Sequence, residues 1–375
     1  MKLPLKPGKL CGADIILFLV ALFLVSCTPG DQDQYPENII MFIGDGMGVA
    51  HITAAKIVRD QLNLERFSAV GLVTTHSENS LITDSAAAST ALATGYKTDN
   101  RSIAVSVDKK PLKTLFEYAQ ELGKSSGIVV TSSVTDATPA AFLAHNADRG
   151  NQTDIAEQIA NGGMDVLIGG GWAYFIPESN EGSRRRDPKN LLTELEGKMT
   201  VVLSHDKLSP DRKPKKLAAL LAPVSLPKAA QRNYTLAELT EEAIGILFKN
   251  RRGFVLLVEG SQIDWAAHDQ NQEDIISEMI DFDGAVGAGL DFARQNGNTL
   301  IIVTADHETG GFAVHDGSIE TRQVTATAFT TSGHTATMVP IFAYGPGSDA
   351  FSGIQDNARV GKSLINLLLK KKTGN

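Results

Sequence analysis

The sequence predicts an α/β fold, a three-layer α/β/α sandwich around a mostly parallel central sheet. Three observations point there. Short unbroken apolar runs recur at Asn38–Gly44 (NIIMFIG), 253–258 (GFVLLV) and 298–304 (NTLIIVT), the pattern of strands buried on both faces. Stretches of helical length separate them. Acids and glycines stand just past the apolar runs, where a parallel sheet binds its ligands.

The chain of 375 residues opens on a targeting segment. Lys2, Lys6 and Lys9 make a positive start, and residues 15–25 (IILFLVALFLV) form an apolar run. The run is shorter than the roughly 20 residues that span a bilayer and has the length of a signal-peptide core. Leu24-Val25-Ser26-Cys27 resembles the lipobox of bacterial lipoproteins, which implies cleavage before Cys27 and a lipid on that cysteine. The expected organisation is a lipoprotein-type signal peptide over 1–26, a flexible polar tether over 27–37 and a single domain over 38–375. An exported protein in the periplasm or cell envelope, held to a membrane through Cys27, follows from this reading. Cleavage would remove three lysines and one aspartate and take the net charge from −8 to −10. A nucleic-acid-binding protein is more often basic. The two cysteines, Cys11 and Cys27, both lie in or at the signal. The domain therefore has no disulfide, and thiolate metal ligation is excluded.

Along the domain, residues 38–44 read as a first strand, 49–60 as a helix and 69–75 as a second strand. In the stretch 81–95 (LITDSAAASTALATG), Ser85 precedes a run of alanines and Gly95 stops it. Ser85 thus sits at a helix N-terminus, where free N–H groups and the helix dipole favour an anion. Residues 111–122 are amphipathic, 127–131 are strand-like, 154–160 helical, and 165–168 form a strand running into three glycines. Residues 172–230 are rich in Pro, Arg and Lys (SRRRDPKN, DRKPKK) and read as an irregular basic insertion of mostly solvated loops. A helix over 234–250 starts with a capping box, Thr235 and Glu238. Then follow a strand at 253–258, a long helix over 273–295, a strand at 298–304, an apolar run at 338–344 and a closing helix over 357–370.

Chemistry-bearing residues cluster past the strand ends. Asp45 follows the first strand, Glu259 follows GFVLLV, and Asp306 and His307 follow NTLIIVT. Asp264 and His268 are spaced i, i+4 and share one face of a helix, a plausible pair of metal ligands. Asp306 and His307 can reach one ion only if the strand has turned into loop by then, as Gly310-Gly311 suggest. His334, in a polar irregular stretch, could complete a set. Oxygen and nitrogen ligands without sulfur suit zinc at a catalytic site and magnesium at an all-oxygen one. The Arg149 guanidinium can grip two phosphate oxygens.

Together the segments FIGDGMG (42–48), TDSAAAST (83–90), DATPAAFLAH with Arg149 (136–149), VEGSQIDWAAH (258–268), TADHETGG (304–311) and SGHT (332–335) resemble the bacterial alkaline phosphatases, in the family's order and over nearly the whole domain. The resemblance implies hydrolysis of phosphate monoesters at a site with two zinc ions and one magnesium ion. It implies that Ser85 is the nucleophile, transiently phosphorylated. Asp264, His268 and His334 would hold one zinc, and Asp45, Asp306 and His307 the second, in contact with the Ser85 oxygen. Asp45, Thr138 and Glu259 would hold magnesium, with Asp136 supporting it through water. Some members carry histidine where Asp136 stands, and the aspartate favours magnesium there. Arg149 would clamp the phosphate. Trp265 stands at a substrate-side position where some members have lysine, and it brings no positive charge. A homodimer, small phosphate monoesters as substrates and no recognition of nucleic acid are implied as well.

Three other readings compete. A phosphodiesterase of the same superfamily usually has a threonine nucleophile and lacks the Arg149 context. A sulfatase needs a C/S-x-P-x-R motif, and Ser85 is followed by Ala-Ala-Ala-Ser. A non-catalytic anion-binding lipoprotein would lack a ligand, and each is present.

Overall fold

The first apolar run becomes β1 (Asn38–Gly44), with every residue buried. The structure is a computed structural model and describes residues 1, 4, 35–208 and 214–370. The expected signal core, Cys27 and most of the tether lie outside the described residues. From Tyr35 onward the chain forms one unit. Among the described residues no helix is long and apolar enough to cross a membrane.

Nine further strands join β1 in a central sheet: β2 (Ala69–Thr74), β3 (Ser125–Ser133), β4 (Val166–Gly170), β5 (Thr200–Val202), β6 (Leu217–Leu220), β7 (Phe254–Gly260), β8 (Thr299–Thr304), β13 (Val339–Tyr344) and β14 (Gly353–Asp356). Between β8 and β13 come two short pairs, β9 (Glu308–Thr309) with β12 (His334–Thr335) and the hairpin β10 (Ala313–Ser318) with β11 (Gln323–Ala328). The sheet order is β14-β2-β13-β8-β1-β7-β3-β4-β6-β5. Neighbours are parallel except where β13 runs against β2 and β8.

The helices are α1 (Val49–Val58), α2 (Ser85–Thr94), α3 (Leu115–Glu121), α4 (Ala137–Leu143), α5 (Gln152–Asn161), α6 (Leu191–Glu196), α7 (Leu236–Leu247), α8 (Gln262–His268), α9 (Gln272–Asn296) and α10 (Asn357–Leu368). They cover the sheet as two sets. In one, α2 packs on α4 and α10; in the other, α9 packs on α7, α8 and α1 and on β1, β7 and β8. These are the three layers expected, and they follow from strands with no polar face to expose. The long α9 presses against β1. A Cβ on its Gly289 would fall 2.6 Å from Phe42 Cζ, and Phe282 meets Phe42 edge-on at 6.3 Å. Burying each such aromatic stabilises the fold by about 1.5–3 kcal/mol. The alanines of α2 have the same origin. Every residue of that helix is buried, and only small side chains let α10 come so close.

Several expectations need correction. Residues 172–230 are not simply an irregular insertion. They hold α6, capped by Asn190, and the strands β5 and β6, which extend the sheet past β4. The apolar Leu191, Leu195, Leu217 and Leu220 are buried, and covering them is what orders this stretch. The amphipathic segment 111–122 becomes helical only at Leu115, because Thr114 and Glu117 form a capping box there. The expected box of Thr235 and Glu238 is present at α7. The strand-like 127–131 extends over nine residues in β3, and His334 lies in the short strand β12 rather than in irregular chain.

Candidate active site and metal centre

The sheet order sets which residues can meet. The strands β8, β1, β7 and β3 lie side by side, with Ile43 level with Thr304 and Glu259, and Glu259 level with Val130. Their carboxyl ends therefore share one rim. Asp45 leaves β1 there in a tight turn. Gly46 has φ +71°, and a Cβ on it would sit 2.8 Å from Thr309 Oγ1 and 2.9 Å from Asp264 Cα. Only glycine permits both that backbone and that approach.

Two groups of ligand atoms adjoin at Asp264. The first is Asp264, His268 and His334. His268 Nε2 lies 3.3 Å from Asp264 Oδ2 and 3.2 Å from His334 Nε2, and His334 Nε2 lies 3.7 Å from Asp264 Oδ1. The other ring nitrogens face backbone carbonyls, His268 Nδ1 to Ser332 at 2.6 Å and His334 Nδ1 to Thr83 at 2.9 Å. A carbonyl only accepts, so each Nδ1 carries a hydrogen and each Nε2 lone pair is turned inward. Tetrahedral ligands at about 2.0–2.1 Å from zinc are about 3.3 Å apart, which these spacings approach. Burial pushes the Asp264 carboxyl up, but His268, His307 and His334 outweigh it and hold it at about 2. Asp264 in turn raises His268 to about 9, so without metal a proton stands where a cation would.

The second is Asp45, Asp264 and His307, with Asp306 and Ser85 also close to the His307 ring. His307 Nε2 is 3.5 Å from Asp45 Oδ1, 3.2 Å from Asp306 Oδ2 and 3.3 Å from Ser85 Oγ. The strand has become loop at Asp306, as the sequence required. Asp306 Oδ1 accepts from the Gly46 and His307 N–H groups, which leaves Oδ2 free. Burial holds the His307 imidazole below its usual value, so it is neutral and can offer a lone pair. The Asp45 carboxyl is raised well above the carboxylate range, first by burial and then by Asp306, Asp264 and Glu259.

A third cluster lies behind Asp45. Burial, with repulsion from Asp136 and Asp306, pushes Glu259 up to about 8 against the pull of the Ser261 hydroxyl. Thr138 Oγ1, Asp45 Oδ1 and Asp306 Oδ2 are buried with no hydrogen-bond partner. Orphaned buried oxygens amid like charges are costly, and a divalent cation resolves that cost. The residues present therefore fit the metals that the sequence suggested.

Ser85 opens α2, with Asp84 as N-cap accepting from the Ala87 N–H. Arg149 bridges Asp84 and Asp136, the caps of α2 and α4, at 3.3 and 3.2 Å. Two carboxylates thus fix one guanidinium beside the serine. Trp265 follows Asp264 on α8 and is half-buried. Two residues went unnoticed in the sequence. Asp84 holds Arg149, and Thr309 donates to Asp264 Oδ1 at 2.5 Å while facing His307 Nδ1 at 3.2 Å. An ionised Asp264 can only accept, so the order is His307 Nδ1–H to Thr309 Oγ1, and Thr309 O–H to Asp264.

Inward-facing lone pairs beside a serine hydroxyl, on the rim of a parallel sheet, define a metal-binding hydrolase. The chain belongs to the alkaline phosphatase family, whose model matches residues 36–320. It is 32% identical to alkaline phosphatase 3 of Bacillus subtilis (strain 168), with 90% of each chain covered. Its structure is similar to that of the alkaline phosphatase from the Antarctic bacterium TAB5, with a TM-score of 0.83, 37% identity, 90% of this chain and 99% of that one. A His-to-Asp mutant of the Antarctic enzyme, equally similar, has Mg bound in its M3 site.

Proposed function

We propose that this phosphatase converts phosphate monoesters to alcohol and inorganic phosphate through a covalent phosphoserine at Ser85, with two zinc ions and one magnesium ion bound. Asp264, His268 and His334 would hold one zinc. Asp45, Asp306 and His307 would hold the second beside Ser85. Asp45, Thr138 and Glu259 would hold magnesium, with Asp136 acting through water. A carboxylate at 136 favours magnesium, and the magnesium-bound His-to-Asp mutant of the Antarctic enzyme supports that choice. When bound, the ions supply Lewis acidity that makes the serine oxygen and water better nucleophiles and offsets charge on the leaving oxygen.

The chain's own residues do the rest. Arg149 grips two oxygens of the phosphate, and the N-terminus of α2 favours the anion. Ser85 Oγ forms a bond to phosphorus as the bond to the alcohol oxygen breaks, and the alcohol leaves with a proton. Water then attacks phosphorus, the Oγ–P bond breaks, and Ser85 regains its hydrogen. Two in-line displacements give net retention at phosphorus. Trp265 flanks the substrate side without adding charge. Export, a lipid at Cys27 and homodimerisation rest on the sequence pattern and the family likeness.

The observation that carries this reading is Ser85 Oγ at 3.3 Å from His307 Nε2, the same nitrogen that the orphaned Asp45 Oδ1 and Asp306 Oδ2 face. The test compares p-nitrophenyl phosphate with its bis ester, and traps labelled phosphate on the enzyme by acid quench. Fast monoester turnover is expected, with label on wild type and none on Ser85→Ala, which should lose most turnover. A preference for the diester, or label retained by Ser85→Ala, sinks it.

A further inference from the structure

The run Arg184-Arg185-Arg186 has no part in the chemistry above. Its middle member is a buried anchor. Arg185 makes a two-pronged pair with Asp187 at 2.8 and 2.6 Å and donates to the Thr153 and Tyr174 carbonyls at 3.0 and 3.1 Å. This pins the loop to α5. Arg184 and Arg186 are exposed. Neither has an ion-pair or side-chain hydrogen-bond partner among the described residues, whereas nearby Lys189 is paired with Glu157 at 2.7 Å.

Arg184 and Arg186 line an open cleft of ≈ 300 Å³ together with Gly150, Gln152, Thr153, Tyr174 and Asp187, the last of which is already paired with Arg185. The cleft begins where the phosphate site ends. Gly150 follows Arg149 in the chain. Thr135, next to Asp136, donates to Gln152 Oε1 at 2.9 Å. The half-buried Tyr174 phenol feels the charges of both Arg184 and Asp136. In a chain of net charge −8, the two arginines bring positive charge to a cleft whose one acidic lining residue, Asp187, is neutralised by Arg185. Guanidinium forks match phosphate geometry, and the volume suits part of a small molecule rather than a macromolecule.

We propose that this cleft is a subsite for a second phosphate on the substrate, so that small bisphosphorylated compounds are favoured over simple monoesters. With one phosphate held at Arg149, the remainder of the substrate extends past Gly150 and its second phosphate meets Arg184 and Arg186. The inference rests on the reading of Ser85 and Arg149 given above. Cleavage stays at the phosphate next to Ser85, and the second phosphate only binds.

The test measures kcat/KM for fructose 1,6-bisphosphate and for p-nitrophenyl phosphate in wild type and in Arg184→Gln/Arg186→Gln. The bisphosphate-to-monoester ratio is expected to fall about tenfold or more in the double variant, mainly through KM. Arg184→Glu/Arg186→Glu should lower the ratio further. Added salt should lower it in wild type and leave it nearly flat in the glutamine variant. A ratio that both variants leave unchanged, including one where both substrates lose rate in step, overturns the subsite while the hydrolase reading stands. Absence of monoester turnover by the metal-loaded wild type overturns the hydrolase reading, and the subsite with it.

Discussion

Thr309 is the residue whose loss tells most about the site. Its hydroxyl joins Asp264 of one ligand group to His307 of the other, at 2.5 and 3.2 Å, and its strand pairs with His334. Valine keeps the shape and β-branching but removes the hydroxyl. His307 Nδ1–H would then be buried without an acceptor, and Asp264 would lose its donor. Thr309→Val is expected to weaken zinc binding about 10- to 100-fold, read as zinc retained against a graded chelator, and Thr309→Ser should restore most of it. Equal zinc retention in wild type and valine variant would show that the hydroxyl positions nothing. The sequence did not single this residue out, for a physical reason. Asp45, His268 and Asp306 stood out because their own chemistry and spacing suit a metal. Thr309 and Asp84 act through other residues, and such roles depend on distances that no spacing encodes.

At the scale of the element, the strands of the middle of the sheet were legible because burial on both faces leaves an unbroken apolar run. The strands β5 and β6 were not. They have three and four residues, and an apolar run as short as LAAL does not separate strand from helix. Only their place beside β4 makes them strands. The helix α9 was legible, but its polar anchors were not. Its Glu278 is buried, accepts from the Ala229 N–H at 2.7 Å and lies 3.9 Å from Arg232. Burial dominates and pushes its carboxyl up to about 7. The folded state therefore binds this proton more tightly than the unfolded chain. The stabilisation is present below the unfolded value of about 4.5 and is lost as pH rises through about 7. Glu278→Gln keeps an acceptor for Ala229 and leaves Arg232 its partner Asp281 at 2.7 Å. Relative to wild type it should be more stabilising at pH 8 than at pH 5, by about 2 kcal/mol, in denaturant unfolding at the two pH values. A difference that does not change with pH would mean that Glu278 titrates normally.

At the scale of the whole molecule, the sheet order turns a scattered sequence into a site. Residues from Asp45 to His334 converge because β8, β1, β7 and β3 are parallel neighbours, and adjacency of that kind is not written in any one segment. The convergence has an energetic consequence. Asp45, Glu259, Asp264 and Asp306 are all buried on one rim, with two orphaned oxygens among them, Asp45 Oδ1 and Asp306 Oδ2, and a third on Thr138. Such a cluster opposes folding unless cations occupy it. The metals are then part of the fold's stability, by an amount set by RT ln(1 + [L]/Kd), about 4 kcal/mol at a thousandfold excess over Kd. Chelation should lower the melting temperature of wild type by several degrees, and free zinc should restore it in a concentration-dependent way. Thr309→Val should show a smaller gap between loaded and chelated protein, because a 10- to 100-fold weaker site forfeits about 1–3 kcal/mol of that linkage. The chelated forms of the two proteins should differ less than the loaded forms. If chelation leaves wild type unmoved, the carboxylate cluster is compensated by something other than metal. If the gap is the same in both proteins, Thr309 supports the fold and not the ions.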